Sequence, residues 1–72
     1  MQREFVRYVA EMIKYIREIL VEDYGYTVKG ARNKINSSRI KSVMLDPVAK
    51  IRVLHYDVYY WAEDLVNGEF DK

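Results

Sequence analysis

The sequence predicts an all-α protein, a small helical bundle in which residues 1–72 form one domain. Apolar residues recur at helical spacing in two long stretches, a glycine or an Asn-Gly pair follows each stretch, and an Asp-Pro pair precedes the second. Half of the residues are hydrophobic, so apolar burial can stabilise a chain that has no cysteine for disulfides. We therefore expect two long antiparallel helices, at about 3–24 and 47–67, bridged by two short helices.

The first long helix has one wide apolar face. At about 100° per residue, seven side chains gather on one side of it: Phe5, Val9, Met12, Ile13, Ile16, Ile19 and Leu20. Charged residues gather opposite. Gly25 suits a left-handed C-cap and ends the helix.

The bridge consists of two short predicted helices. Thr27 is the expected N-cap of the first, whose buried face is Val28, Ala31 and Ile35. Asn36, Ser37 and Ser38 form a polar turn and a new N-cap. The second short helix then has one apolar face, formed by Ile40, Val43 and Met44.

Asp46-Pro47 marks the start of the last helix, since Asp caps the first turn and Pro lacks an amide there. Asn67-Gly68 is the expected C-cap, and Phe70 lies just beyond it and can fold back. The expected core stripe is Ile51, Leu54, Val58, Trp61, Ala62 and Leu65.

A second apolar line runs along the same helix, about 160° from the core stripe. It consists of Ala49, Val53, Tyr56 and Tyr60. One helix of a small domain buries both sides only if it lies at the centre of the bundle. Otherwise the second line meets another molecule, and we take it as a candidate interface with another protein or with a second copy in a homodimer.

Catalytic and metal-binding patterns are nearly absent from the sequence. Lys29-Gly30 stands outside any phosphate-loop spacing, no cysteine nucleophile exists, and one histidine excludes a multi-histidine zinc site. That residue, His55, could act as a general base or a pH-sensitive contact. Because it has no visible nucleophile or metal partner, the favoured interpretation is a half-buried side chain with a local hydrogen bond. We expect no enzyme, cofactor or metal. No apolar run reaches a membrane span, and the expected compartment is the cytoplasm.

Charge is distributed unevenly although the net charge is only +1. Residues 24–56 carry a net charge of +6, whereas residues 57–72 carry −4. The basic stretch at 27–45 resembles a helix-turn-helix in outline, with Ser37–Lys41 at the start of a recognition helix. However, Ile35 stands where that motif usually has its turn glycine. The candidate nucleic-acid contacts are Lys29, Arg32, Lys34, Ser38, Arg39 and Lys41.

Two functions remain open from the sequence. The leading hypothesis is a small non-catalytic interaction or regulatory protein that acts by docking on another protein. The alternative is a nucleic-acid-binding module that uses the basic segment. The isoelectric point of about 7.9 is lower than that of most DNA-binding domains, which favours the first hypothesis.

Overall fold

The computed structural model describes residues 3–71 and confirms the all-α class. A short 3₁₀ turn, Pro47–Ala49, precedes the fourth of five helices. The helices are α1 (Arg3–Asp23), α2 (Val28–Asn36), α3 (Ile40–Leu45), α4 (Lys50–His55) and α5 (Val58–Val66). Helix α1, the longest, packs against α2, α3 and α5, whereas α4 packs against α3 and the 3₁₀ turn.

Helix α1 has the predicted face and the predicted end. Its buried residues are Val9, Met12, Ile16, Ile19 and Leu20, while Phe5 and Ile13 are partly buried. Gly25 has a φ of +74°, the left-handed conformation that glycine adopts without strain. The Tyr26 amide then donates a hydrogen bond of 3.0 Å to the Leu20 carbonyl, which closes the helix end.

The two bridging helices, α2 and α3, form largely as the sequence predicts. The Thr27 hydroxyl accepts a hydrogen bond of 2.9 Å from the Gly30 amide, as an N-cap should. Ala31 and Ile35 of α2, and Ile40 and Met44 of α3, are buried. The prediction for Val28 was wrong. Val28 is exposed because it borders an open cleft next to Val21 and Glu22, in the last turn of α1.

The predicted continuous helix at 47–67 is broken in two. Asp46 caps its start as expected, accepting a hydrogen bond of 2.9 Å from the Val48 amide. At Tyr56, however, the backbone becomes extended, with φ −95° and ψ 139°. Asp57 is extended too, and its carboxylate accepts a hydrogen bond of 3.0 Å from the Tyr60 amide. Asp57 therefore acts as a second N-cap and begins α5 as a separate helix.

The break changes which face of α4 is buried. Ala49 and Val53 lie in the core, whereas Ile51 and Leu54 of the expected core stripe are 72% and 53% exposed. In one continuous helix, Val53 would lie about 130° from the centre of the Trp61–Leu65 face. Because the extended residues reset the rotation of the chain, α4 buries one line and α5 buries the other.

The C-terminal segment folds back onto the body as the sequence predicts. Gly68 has a φ of +86° and follows the α5 C-cap, Asn67. Phe70 is buried, and its ring stacks on Trp61 with 5.7 Å between the ring centroids. The Arg39 amide donates a hydrogen bond of 2.7 Å to the Phe70 carbonyl, which attaches this segment to the turn between α2 and α3.

Trp61 is the largest fully buried side chain, and α1, α2, α3, α4 and α5 all contribute to the cluster that contains it. Its indole N–H has no hydrogen-bond partner among residues 3–71. The Arg52 guanidinium lies over the ring, 5.0 Å from the centroid, and adds a cation–π contact between α4 and α5. Across residues 3–71, every helix is too short or too polar to cross a membrane.

Replacing Asp57 tests whether the α4–α5 break depends on its cap. Asp57→Ala should lower the free energy of unfolding by about 1 kcal/mol, because the Tyr60 amide loses its acceptor. Asp57→Asn is the matched control, since Asn caps equally well, and it should unfold at nearly the wild-type urea concentration. Equal stability of the Ala and Asn variants would show that this cap does not stabilise the fold.

Candidate functional site

The predicted protein interface is divided by the helix break. Ala49 and Val53 are buried within this single chain, so they cannot form an exposed line with the two tyrosines. Tyr56 and Tyr60 remain exposed and stack on each other, with 4.4 Å between ring centroids and 18° between ring planes. The exposed part of the predicted interface is thus a pair of tyrosines at the α4–α5 junction.

Tyr56 lines a cleft between this junction and α1. The cleft has a volume of about 310 Å³. We call it the tyrosine cleft, and its lining consists of Tyr8, Glu11, Met12, Tyr15, Tyr56, Asp57 and Val58. Three exposed tyrosines therefore face a concave surface formed by residues that lie far apart in the sequence.

The tyrosine cleft has an acidic rim. Glu11 and Asp57 are both exposed, and none of the lining residues is basic. One carboxylate oxygen of Asp57 accepts the Tyr60 amide, which fixes the direction of that side chain. Aromatic faces and carboxylates both attract cations, so the cleft is electrostatically suited to a positively charged group.

Helix α4 and the turn before it present an aliphatic strip that the sequence reasoning had placed partly in the core. Val48 is 90% exposed, and Ile51 and Leu54 follow it at intervals of three residues. We call these three residues the aliphatic strip. Both apolar faces of this segment are visible in the sequence. The assumption of one continuous helix places Ile51 and Leu54 in the core, whereas the structure buries the face of Val53 instead.

The predicted nucleic-acid contacts do not form one set. Lys34 forms an ion pair with the C-terminal segment, in which its ammonium lies 3.5 Å from the Asp71 carboxylate. The Ser38 hydroxyl donates to the Ile35 carbonyl at 2.8 Å and accepts from the Ile40 amide at 3.2 Å, so it builds the turn. Lys29 and Arg39 are exposed without lining a cleft together with the others.

Arg32 and Lys41 do converge, and α1 supplies a third cation that the sequence reasoning missed. They line a cleft of about 220 Å³. We call it the basic cleft, and its lining consists of Ile13, Arg17, Arg32, Ile35, Asn36 and Lys41. The Lys41 ammonium donates a hydrogen bond of 3.5 Å to the Asn36 side-chain oxygen. Arg17 belongs to no local basic cluster, so only the packing of α1 against α2 and α3 brings it here.

The helix-turn-helix outline is only partly realised. The turn at residues 37–39 separates α2 from α3, but α3 has just six residues and begins at Ile40. A helix of that length is about 9 Å long. Such a short helix presents few side chains to a row of base pairs, so the geometry favours contact with phosphates over base reading.

Residues suited to metal or acid–base chemistry are dispersed. Within residues 3–71, no group of three His, Asp or Glu side chains could hold a metal ion. His55 ends α4 and is exposed, so its expected half-buried position was wrong. It does not line the tyrosine cleft or the basic cleft.

Comparison of the chain with family models, curated proteins and solved structures found no match.

Truncation of two neighbouring aliphatic residues tests which face of α4 is buried. Val53→Ala should lower the free energy of unfolding by about 2 kcal/mol, since it removes two buried carbons and leaves a cavity. Ile51→Ala, the exposed counterpart, should change it by less than about 0.5 kcal/mol. Urea unfolding of both variants checks this. A larger loss of stability for Ile51→Ala than for Val53→Ala would contradict the observed burial. It would instead support one continuous helix with Ile51 in its core stripe.

Proposed function

We propose that this protein is a small non-catalytic binding protein, and that it docks on another protein through the tyrosine cleft. The observation that carries the proposal is the convergence of Tyr8, Tyr15 and Tyr56, all exposed, on one concave surface. Tyrosine is among the residues that contribute most to the free energy of protein association, because its ring buries a large area and loses little conformational entropy.

The chemistry of the cleft specifies the partner's anchor. Tyrosine faces, Met12 and Val58 suit an aliphatic stem, and Glu11 and Asp57 suit a positively charged end. A lysine or arginine side chain combines the two. We therefore propose that the partner presents a basic side chain, inserted beside Tyr56 with its charge toward the two carboxylates.

A regulatory role is part of the same proposal. A non-catalytic protein that binds a surface of its partner keeps other molecules from that surface. A cytoplasmic location belongs to the same proposal, because a chain without cysteine depends on no oxidising compartment.

Two matched tyrosine variants test the docking proposal. Tyr15 lines the tyrosine cleft and is 52% exposed, whereas Tyr59 is 60% exposed and lies outside it. The tagged protein is used to capture partners from nuclease-treated lysate of the producing cells, and the affinity of a captured protein is then measured by titration. Tyr15→Ala should weaken binding at least about 10-fold, since a central tyrosine contributes more than about 1.4 kcal/mol.

Tyr59→Ala is the control, and it should bind within about 2-fold of wild type, since most contacts outside the centre of an interface contribute little. Glu11→Gln should also weaken binding if the anchor is basic. The proposal fails if no nuclease-resistant partner is captured, or if Tyr15→Ala and Tyr59→Ala bind equally well.

A homodimer is the form of the proposal in which a second copy of this chain is the partner. The exposed Tyr56–Tyr60 stack and the aliphatic strip are the apolar surfaces it would use. Light scattering after size exclusion should then show a dimer that Tyr60→Glu converts to a monomer, because a buried unpaired carboxylate opposes association. A strict monomer for both proteins would exclude the homodimer and leave docking on a different protein.

A further inference from the structure

We propose that the basic cleft binds phosphate groups of the backbone of a DNA duplex. The basic cleft and the tyrosine cleft use different residues of α1, and at 100° per residue their faces lie about 170° apart around that helix. The proposal is therefore separate from docking at the tyrosine cleft, and each can fail without the other.

The three cations of the cleft come from three helices. Arg17 lies on α1, Arg32 on α2 and Lys41 on α3, so tertiary packing alone brings them together. No carboxylate lines the cleft, and within residues 3–71 the one ion pair joins Lys34 to Asp71 elsewhere. Three like charges at one concave surface repel one another, and an anion bound among them offsets that repulsion.

The hydrogen-bonding groups of the cleft match phosphate oxygens. Two guanidinium groups offer planar pairs of donors, and an ammonium offers three donors that can rotate. The side-chain oxygen of Asn36 holds the Lys41 ammonium at 3.5 Å, which leaves its other donors available. Ile13 and Ile35 supply the apolar part of the lining.

The size and setting of the cleft favour a phosphodiester backbone over a whole nucleotide. Its volume of about 220 Å³ lies below the roughly 300–1,000 Å³ of pockets that enclose drug-sized ligands. Lys29 and Arg39 are exposed on α2 and on the turn after it, and neither lines the cleft. Because α3 is too short to read several bases, the binding should depend little on sequence.

Salt dependence of binding to a fluorescent duplex of arbitrary sequence, about 20 base pairs long, tests the proposal by anisotropy. Three phosphate contacts predict a slope of about −2.7 in a plot of log affinity against log salt concentration. A rise from about 50 to 200 mM salt should therefore weaken binding about 40-fold.

Arginine-to-glutamine variants of α1 locate the site. Arg17→Gln should weaken binding at low salt and reduce the slope by about 0.9, so that the same rise in salt weakens binding only about 12-fold. Arg7→Gln removes the same charge from an exposed position of α1 outside the cleft and should leave the slope unchanged. Arg32→Gln and Lys41→Gln should each behave as Arg17→Gln does, and urea unfolding verifies that every variant is folded.

Competition with inorganic phosphate and with ATP distinguishes the source of the phosphate. Duplex binding that Arg17→Gln weakens, and that millimolar phosphate or ATP does not displace, supports the backbone assignment. Tight binding of inorganic phosphate or ATP without duplex binding would overturn it, as would equal effects of Arg7→Gln and Arg17→Gln. Failure to bind the duplex at about 50 mM salt would also overturn it.

Discussion

The break between α4 and α5 is the constraint on which the rest of this structure depends. The sequence from Pro47 to Val66 has two apolar lines that point in nearly opposite directions, and a single straight helix at one side of the core could bury only one of them. Two extended residues, Tyr56 and Asp57, change the rotation of the chain between the lines. As a result Val53 and Trp61 enter one core, which a domain of this size needs for its stability.

The same break shapes the surface around α1. It turns Tyr56 outward beside Asp57 and opposite Tyr8 and Tyr15, which creates the tyrosine cleft. It also leaves Ile51 and Leu54 in solvent, since α4 can bury only the face that carries Val53. The basic cleft arises differently, from the packing of α2 and α3 on the other side of α1. An aromatic, acidic surface and a basic one therefore lie on opposite sides of the same helix.

The sequence predicted well wherever a local signal determines local structure. Gly25, Thr27, Asp46 and Gly68 each act at the helix end where they were expected, because caps depend on neighbouring backbone groups. The break at Tyr56 and Asp57 was not predicted, because the apolar periodicity continues across it, although Asp57 is as good an N-cap as Asp46. Two opposed apolar lines in one predicted helix were themselves the signal. The clefts could be predicted only in part, because Tyr8, Tyr15 and Arg17 join them through tertiary packing.

Backbone carbon chemical shifts measured by NMR along residues 50–66 test the break most directly. The Cα shifts should be helical from Lys50 to His55 and again from Val58 to Val66, with extended values at Tyr56 and Asp57. An uninterrupted helical run through these two residues would contradict the account. It would return Val53 to the surface, place Ile51 in the core and remove the tyrosine cleft.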